Sequence, residues 1–134
     1  MGRYIKRSLI IVAGFVILIT VACGESAIKF ERGHLVEGTV TSSDSIADGW
    51  RSKPYITEIF EDIEYFIRLS SPTGAPVGLW NPVADEFIIE LNSGKMTRTV
   101  AYVFSEGDFQ ELFVRSPDSE VPTPFTFMFW IRGS

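Results

Sequence analysis

Hydrophobic and polar positions alternate with period two along much of this chain, most plainly near its end. Phe125, Phe127, Phe129 and Ile131 face one way, and Thr126, Met128, Trp130 and Arg132 the other. Period two puts successive side chains on opposite faces of a strand, so the first set is predicted core. Upstream, Phe87, Ile89 and Leu91 alternate with Glu86, Ile88 and Glu90. Asn92-Ser93-Gly94 comes next as a turn, because Asn and Gly tolerate positive φ. Thr97 to Phe104 is β-branched and aromatic, Ser105-Glu106-Gly107-Asp108 turns again, and Phe109 to Arg115 returns. These three segments predict an antiparallel meander. A loop with Pro117, Pro122 and Pro124 then leads to the last strand.

The preceding half is less regular. His34 to Thr41 reads as a strand interrupted by Gly38, and Ser42 to Lys53 as a polar loop carrying Asp44, Asp48 and Trp50. In YITEIFEDIEYFIRLSS, Ile56, Ile59, Phe60, Ile63, Phe66 and Ile67 recur at helical spacing, so an amphipathic helix and a strand both fit. A strand from Ile63 to Ser70 is preferred, since it is β-branched and aromatic and runs into the turn Ser71-Pro72-Thr73-Gly74. Val77 to Trp80 and the turn Asn81-Pro82 complete the set. Short strands separated by turn chemistry predict an all-β fold. The expected architecture is a single antiparallel β-sandwich of seven to eight strands over residues 34–134, after an N-terminal apolar signal helix.

That opening segment has its own logic. Arg3, Lys6 and Arg7 precede an apolar run from Leu9 to Ala22, and Ala22-Cys23-Gly24 closes it with small residues and the chain's one cysteine. Basic, apolar and small is the layout of an export signal. Retention of the positive charge on the cytoplasmic side sends the downstream chain across the membrane. Three readings fit: a lipoprotein signal cut before Cys23, an uncleaved anchor helix, or ordinary cleavage with release. The apolar run is short of the ~20 residues that span a hydrocarbon core. An exported chain with a lone free thiol is also unusual. Both points favour lipidation of Cys23. Thr20-Val21-Ala22-Cys23 resembles a lipobox, with Thr20 where Leu is usual. Residues 1–22 are then the signal peptide and 23–33 a tether.

Charge narrows the partners. Cleavage before Cys23 leaves 112 residues carrying 9 basic and 17 acidic side chains, a net charge near −8. Such a balance argues against nucleic acid and against a polybasic grip on lipid headgroups. No cysteine remains for a disulfide, so burial must stabilise the domain, and eleven Phe, three Trp and four Tyr are available for it.

Candidate chemistry is sparse. His34 is the only histidine, which excludes Ser-His-Asp, Cys-His and multi-histidine metal sites. The acids Glu58, Glu61, Asp62 and Glu64 read as a solvated face rather than a glycosidase pair. Asp44 and Asp48 are hard-oxygen donors without the spacing of a calcium loop. No metal or other cofactor is called for. The remaining lead is aromatic. Trp50 and Trp80 sit in or beside loops, and Met128 and Trp130 lie on the face opposite the phenylalanine stripe. If exposed, these four residues suit a glycan or a protein surface.

The segments EYFIRLSSPTGAPVGLW, TRTVAYVFSEGDFQELFVRSP and PFTFMFWIRG together resemble the sequence rhythm of GOLD-type (emp24-like) β-sandwiches. Pro72 and Gly74 match the family's Pro-x-Gly turn, and Gly107 with Phe109 its Gly-aromatic turn. The resemblance implies a non-catalytic sandwich used for binding or assembly. The expected protein is therefore an extracytoplasmic lipoprotein, not an enzyme, held at the membrane by its N-terminal lipid. Its sandwich binds an envelope protein or glycan. The alternatives are a structural subunit of a membrane assembly and a domain on an uncleaved anchor.

Overall fold

The computed structural model describes residues 26–132 of the chain. The signal segment and Cys23 lie outside the described residues. Ten strands run through those residues: β1 (Ile28–Lys29), β2 (Val36–Val40), β3 (Ser45–Ala47), β4 (Trp50–Ile59) and β5 (Glu64–Ser70) in the first half. The second half holds β6 (Val77–Asn81), β7 (Glu86–Leu91), β8 (Thr97–Val103), β9 (Asp108–Pro117) and β10 (Thr123–Ile131). One sheet has the order β8-β5-β10-β2; the other is β1-β4-β9-β6-β7, with β3 paired onto β4. All pairings are antiparallel except the two-residue contact of β1 with β4. The fold is the expected all-β sandwich, with ten strands where seven or eight were predicted.

The alternation in β10 decides how the sheets meet. Phe125, Phe127 and Phe129 are all buried, and Tyr55 of β4 meets Phe127 edge-on at 5.1 Å and Phe125 at 6.0 Å. Tyr65 of β5 and Phe104 extend the cluster around Phe129. Edge-to-face packing places a ring's positive rim on its neighbour's negative face, which adds to the area term. Space at this seam is tight. A Cβ on Gly38 in β2 would lie 2.6 Å from the Tyr55 hydroxyl and 2.7 Å from Phe125 Cζ, so the glycine that interrupts the strand in sequence is what lets the rings close over it.

Three expectations need correction, and the choice between helix and strand falls to the preferred strand. The segments 86–91, 97–103 and 108–117 do not form a meander: β7 pairs with β6, β8 with β5, and β9 with β4 and β6. The chain changes sheet at each of those turns, because each strand turns one side toward the core, buried in β7 and β9 and half-buried at Val100 and Tyr102 in β8. The ambiguous stretch is two strands, β4 and β5, split by the turn at Phe60–Ile63, where Asp62 takes φ 61°. The polar loop 42–53 is largely a hairpin. Ala47 pairs with Trp50 across Asp48 and Gly49, whose φ values of 53° and 83° are what a two-residue turn of this hand requires. The tether reading of 23–33 fails from Ile28 onward. Phe30 is buried, 4.9 Å from Phe127 and 5.0 Å from Phe129, and Thr57 Oγ1 donates to its carbonyl at 2.8 Å.

Candidate functional site

The hairpin at Asp48-Gly49 delivers Trp50 to the outer face of the larger sheet. Two anchors fix it: Arg51 Nε donates to Asp118 Oδ1 at 2.7 Å and its Nη1 to the Asp44 carbonyl at 2.9 Å. Asp44 itself is buried, taking Lys53 Nζ at 3.1 Å and the Thr41 N–H at 2.8 Å. Its carboxylate is thus committed to the fold, and Asp48 belongs to the turn. Among the described residues no group of three or more His, Cys, Asp or Glu could hold a metal ion.

Trp80 reaches the same face from β6, opposite Phe113 of β9. What joins the two tryptophans is Phe87. Between Leu79 and Trp80 the β6–β7 ladder shifts register, so that Leu79 faces Ile89 but Trp80 faces Phe87, leaving Ile88 as an extra residue. A bulge of this kind re-aims a side chain. Ile88 and Ile89 are both buried while Phe87 turns outward. Its ring lies 5.4 Å from Trp50 and 4.9 Å, edge-on, from Trp80. The sequence reading set Phe87 on one face with Ile89 and Leu91, because strict alternation carries no trace of a bulge.

Arg115 of β9 completes the group, with its guanidinium carbon 4.3 Å from the centre of the Trp80 ring. Its Nε is buried and has no hydrogen-bond partner among the described residues. Burial lowers the guanidinium's pKa, and the charges of Asp48 and Asp85 draw it back up. Trp50, Phe87, Trp80 and Arg115 are all half-buried. They form a shelf rather than a pit. A buried donor without a partner is unusual in a folded chain, and here it stands against the Trp80 ring.

Met128 and Trp130 lie elsewhere, on the outer face of the smaller sheet. Trp130 pairs across the ladder with Phe66, the rings 6.0 Å apart and tilted by 30°. Arg68 stands 5.7 Å from the Trp130 ring and Arg132 5.2 Å from that of Phe66; Arg132 also pairs with Glu64 at 3.2 Å. The four predicted surface residues are therefore divided between opposite faces. Arg68, Phe66, Phe87 and Arg115 were not singled out from sequence. The alternation in β5 and β9 gives the direction of Phe66, Arg68 and Arg115, but only the ladders show what stands next to them. His34 is exposed, and a hollow of about 350 Å³ at one end is lined by Lys29, Arg32, Phe60 and Phe109 among others.

An all-β sandwich with flat aromatic faces is the class these features define. The pre-peptidase C-terminal domain of a collagenase from Bacillus anthracis is a similar solved structure. It aligns with 81% of this chain and 99% of its own at a TM-score of 0.58 and 11% sequence identity. At that identity the likeness is one of fold. No family model matches the chain, and no curated protein matches it. The structural likeness is to a pre-peptidase C-terminal domain, whereas the GOLD resemblance rests on turn rhythm alone.

Proposed function

We propose that this protein is an extracytoplasmic lipoprotein, anchored through Cys23, whose sandwich binds an envelope protein without catalysing a reaction. The observation that carries the reading is the shelf of Trp50, Phe87, Trp80 and Arg115 with its unpartnered buried Nε. Trp, Phe and Arg are the residues enriched at the centres of protein interfaces. A half-buried aromatic group needs little further ordering to bind, and a carboxylate on the partner would satisfy the guanidinium in two-pronged fashion. Anchoring rests on the sequence: a basic start, a short apolar run and a lone cysteine after Ala22. Among the described residues no helix is long and apolar enough to cross a membrane.

The test is affinity capture from detergent-solubilised envelopes with the full chain, comparing wild type, Trp80→Ala and Cys23→Ala. Wild type is expected to retain a stoichiometric protein partner that Trp80→Ala loses. Cells fed labelled fatty acid are expected to label wild type and not Cys23→Ala. Persistent label on Cys23→Ala removes the anchor, and capture of a glycan in place of a protein removes the partner class.

A further inference from the structure

Strand β8 is the outer strand of the smaller sheet. It pairs with β5 at all seven positions from Thr97 to Val103 and has no strand on its other side among the described residues. Its two ends give the direction of its backbone groups. The Met96 carbonyl accepts the Ser71 N–H at 2.8 Å, and the Phe104 carbonyl accepts the Asp62 N–H at 3.1 Å. Even-numbered residues therefore turn their N–H and C=O toward β5. By the alternation of an antiparallel strand, those of Thr97, Thr99, Ala101 and Val103 point outward.

Such an edge is a template for another strand, and proteins usually blunt it with Pro, Lys, a bulge or brevity. The other edges here are blunted. β1 has two residues, β2 has five and contains Gly38, and β7 carries the bulge together with Glu86 and Glu90. β8, Thr-Arg-Thr-Val-Ala-Tyr-Val, has seven residues without Pro, Lys or a bulge, and Arg98 near one end is its one charge.

We propose that β8 pairs antiparallel with β8 of a second copy, about a two-fold axis through Val100. Three features favour a second copy over a foreign strand. First, the register closes. With Val100 opposite Val100, the outward groups of Thr99 meet those of Ala101 and the outward groups of Thr97 meet those of Val103. All the free edge groups in the strand are thereby used. Second, the charges complement. This register sets Arg98 opposite Tyr102 of the second copy, whose hydroxyl donates to Glu86 Oε2 at 2.6 Å. Arg98 reaches the Glu90 carbonyl at 3.5 Å and makes no salt bridge among the described residues. The symmetry therefore forms the Arg98–Glu86 pairing twice. Third, Val103, 51% exposed, would be covered by Thr97 of the other chain, and all side chains on the outer face of the seam are small or β-branched. An isologous contact of this kind closes as a pair and does not propagate.

The consequence is one continuous eight-stranded sheet. Its two-fold axis is perpendicular to the sheet, so the Trp50–Trp80 shelves of both copies face the same side. A partner presented on a surface would be met bivalently.

Sedimentation equilibrium of the detergent-solubilised full chain tests this. Wild type is expected at two copies. Ala101→Pro removes an outward N–H and leaves the β5 ladder its own donors. It is expected to raise the dissociation constant by at least about tenfold, with an unchanged thermal midpoint showing that the fold persists. Arg98→Glu is expected to do the same, and the exchange Arg98→Glu with Glu86→Arg to restore the pair. A wild type that sediments as one copy at about 100 μM overturns the proposal. So does a pair that both substitutions leave intact. A one-to-one complex with a different polypeptide, lost in Ala101→Pro, overturns it in favour of a foreign strand.

Discussion

The ring of Phe87 lies where a side chain on Gly78 would have to be: a Cβ there would sit 2.5 Å from Phe87 Cε1 and 2.7 Å from Cδ1. The bulge turns Phe87 outward, and the bare glycine lets it settle flat between Trp50 and Trp80. Gly78→Ala should therefore lever the ring off the sheet. Overpacking of this sort costs about 1–3 kcal/mol. The expected result is a lowered urea midpoint together with altered tryptophan emission, since Trp50 and Trp80 both contact Phe87. Wild-type emission and a wild-type midpoint would show that the ring needs no glycine beneath it.

Phe30 tests where the domain begins. Its ring touches Tyr55, Phe127 and Phe129, so Phe30→Ala would leave a cavity in the middle of the aromatic cluster. Losses of this kind run to about 3–5 kcal/mol. Phe60→Ala, at a ring that is 44% exposed, is the matched control and should cost far less. Equal midpoints for the two variants in chemical denaturation would return residues 28–33 to the status of a tether.

How much of the fold was legible in the sequence depends on how far each signal reaches. The stripe Phe125, Phe127, Phe129 is local and dense, and it revealed both the strand and its buried face. Phe30 is one aromatic among polar neighbours, with no period to betray it. Asp48-Gly49 did carry the strongest short hairpin signal, but the polar residues around it masked the strands it joins. The meander failed for a different reason: a two-residue period says which side is buried but not which sheet the strand joins. The shelf was half visible. Trp50 and Trp80 stood out by type, whereas Phe87 needed a bulge and Arg115 needed a neighbour from β6, both properties of the ladder.

Tyr55 links the core to alkaline pH. Burial, and then the charge of Asp44, push its phenol up to about 12 from an ordinary value of 10.0. In the folded chain the proton is held where the unfolded chain has already released it. Its contribution to stability is therefore complete below pH 10 and lost as pH rises toward 12. Denaturation midpoints should fall over that window. Tyr55→Phe should flatten the fall while leaving the neutral-pH value close to wild type. Parallel slopes for the two proteins would assign the alkaline loss to other groups.

Arg115 separates stability from recognition. Its buried Nε has no partner among the described residues, a cost of about 1–3 kcal/mol for an unsatisfied donor. The contact with Trp80 returns about 0.5–1 kcal/mol of that. Arg115→Met keeps most of the volume over Trp80 and removes the orphan donor, so the unfolding midpoint should hold or rise. Capture of the envelope partner should meanwhile be lost, because the guanidinium that would take the partner's carboxylate is gone. Arg115→Lys keeps the charge but not the two-pronged donor geometry and should bind weakly. A fall in stability for Arg115→Met would mark the arginine as a structural clamp on Trp80. A rise with full capture retained would leave the shelf an aromatic surface in which the charge plays no part.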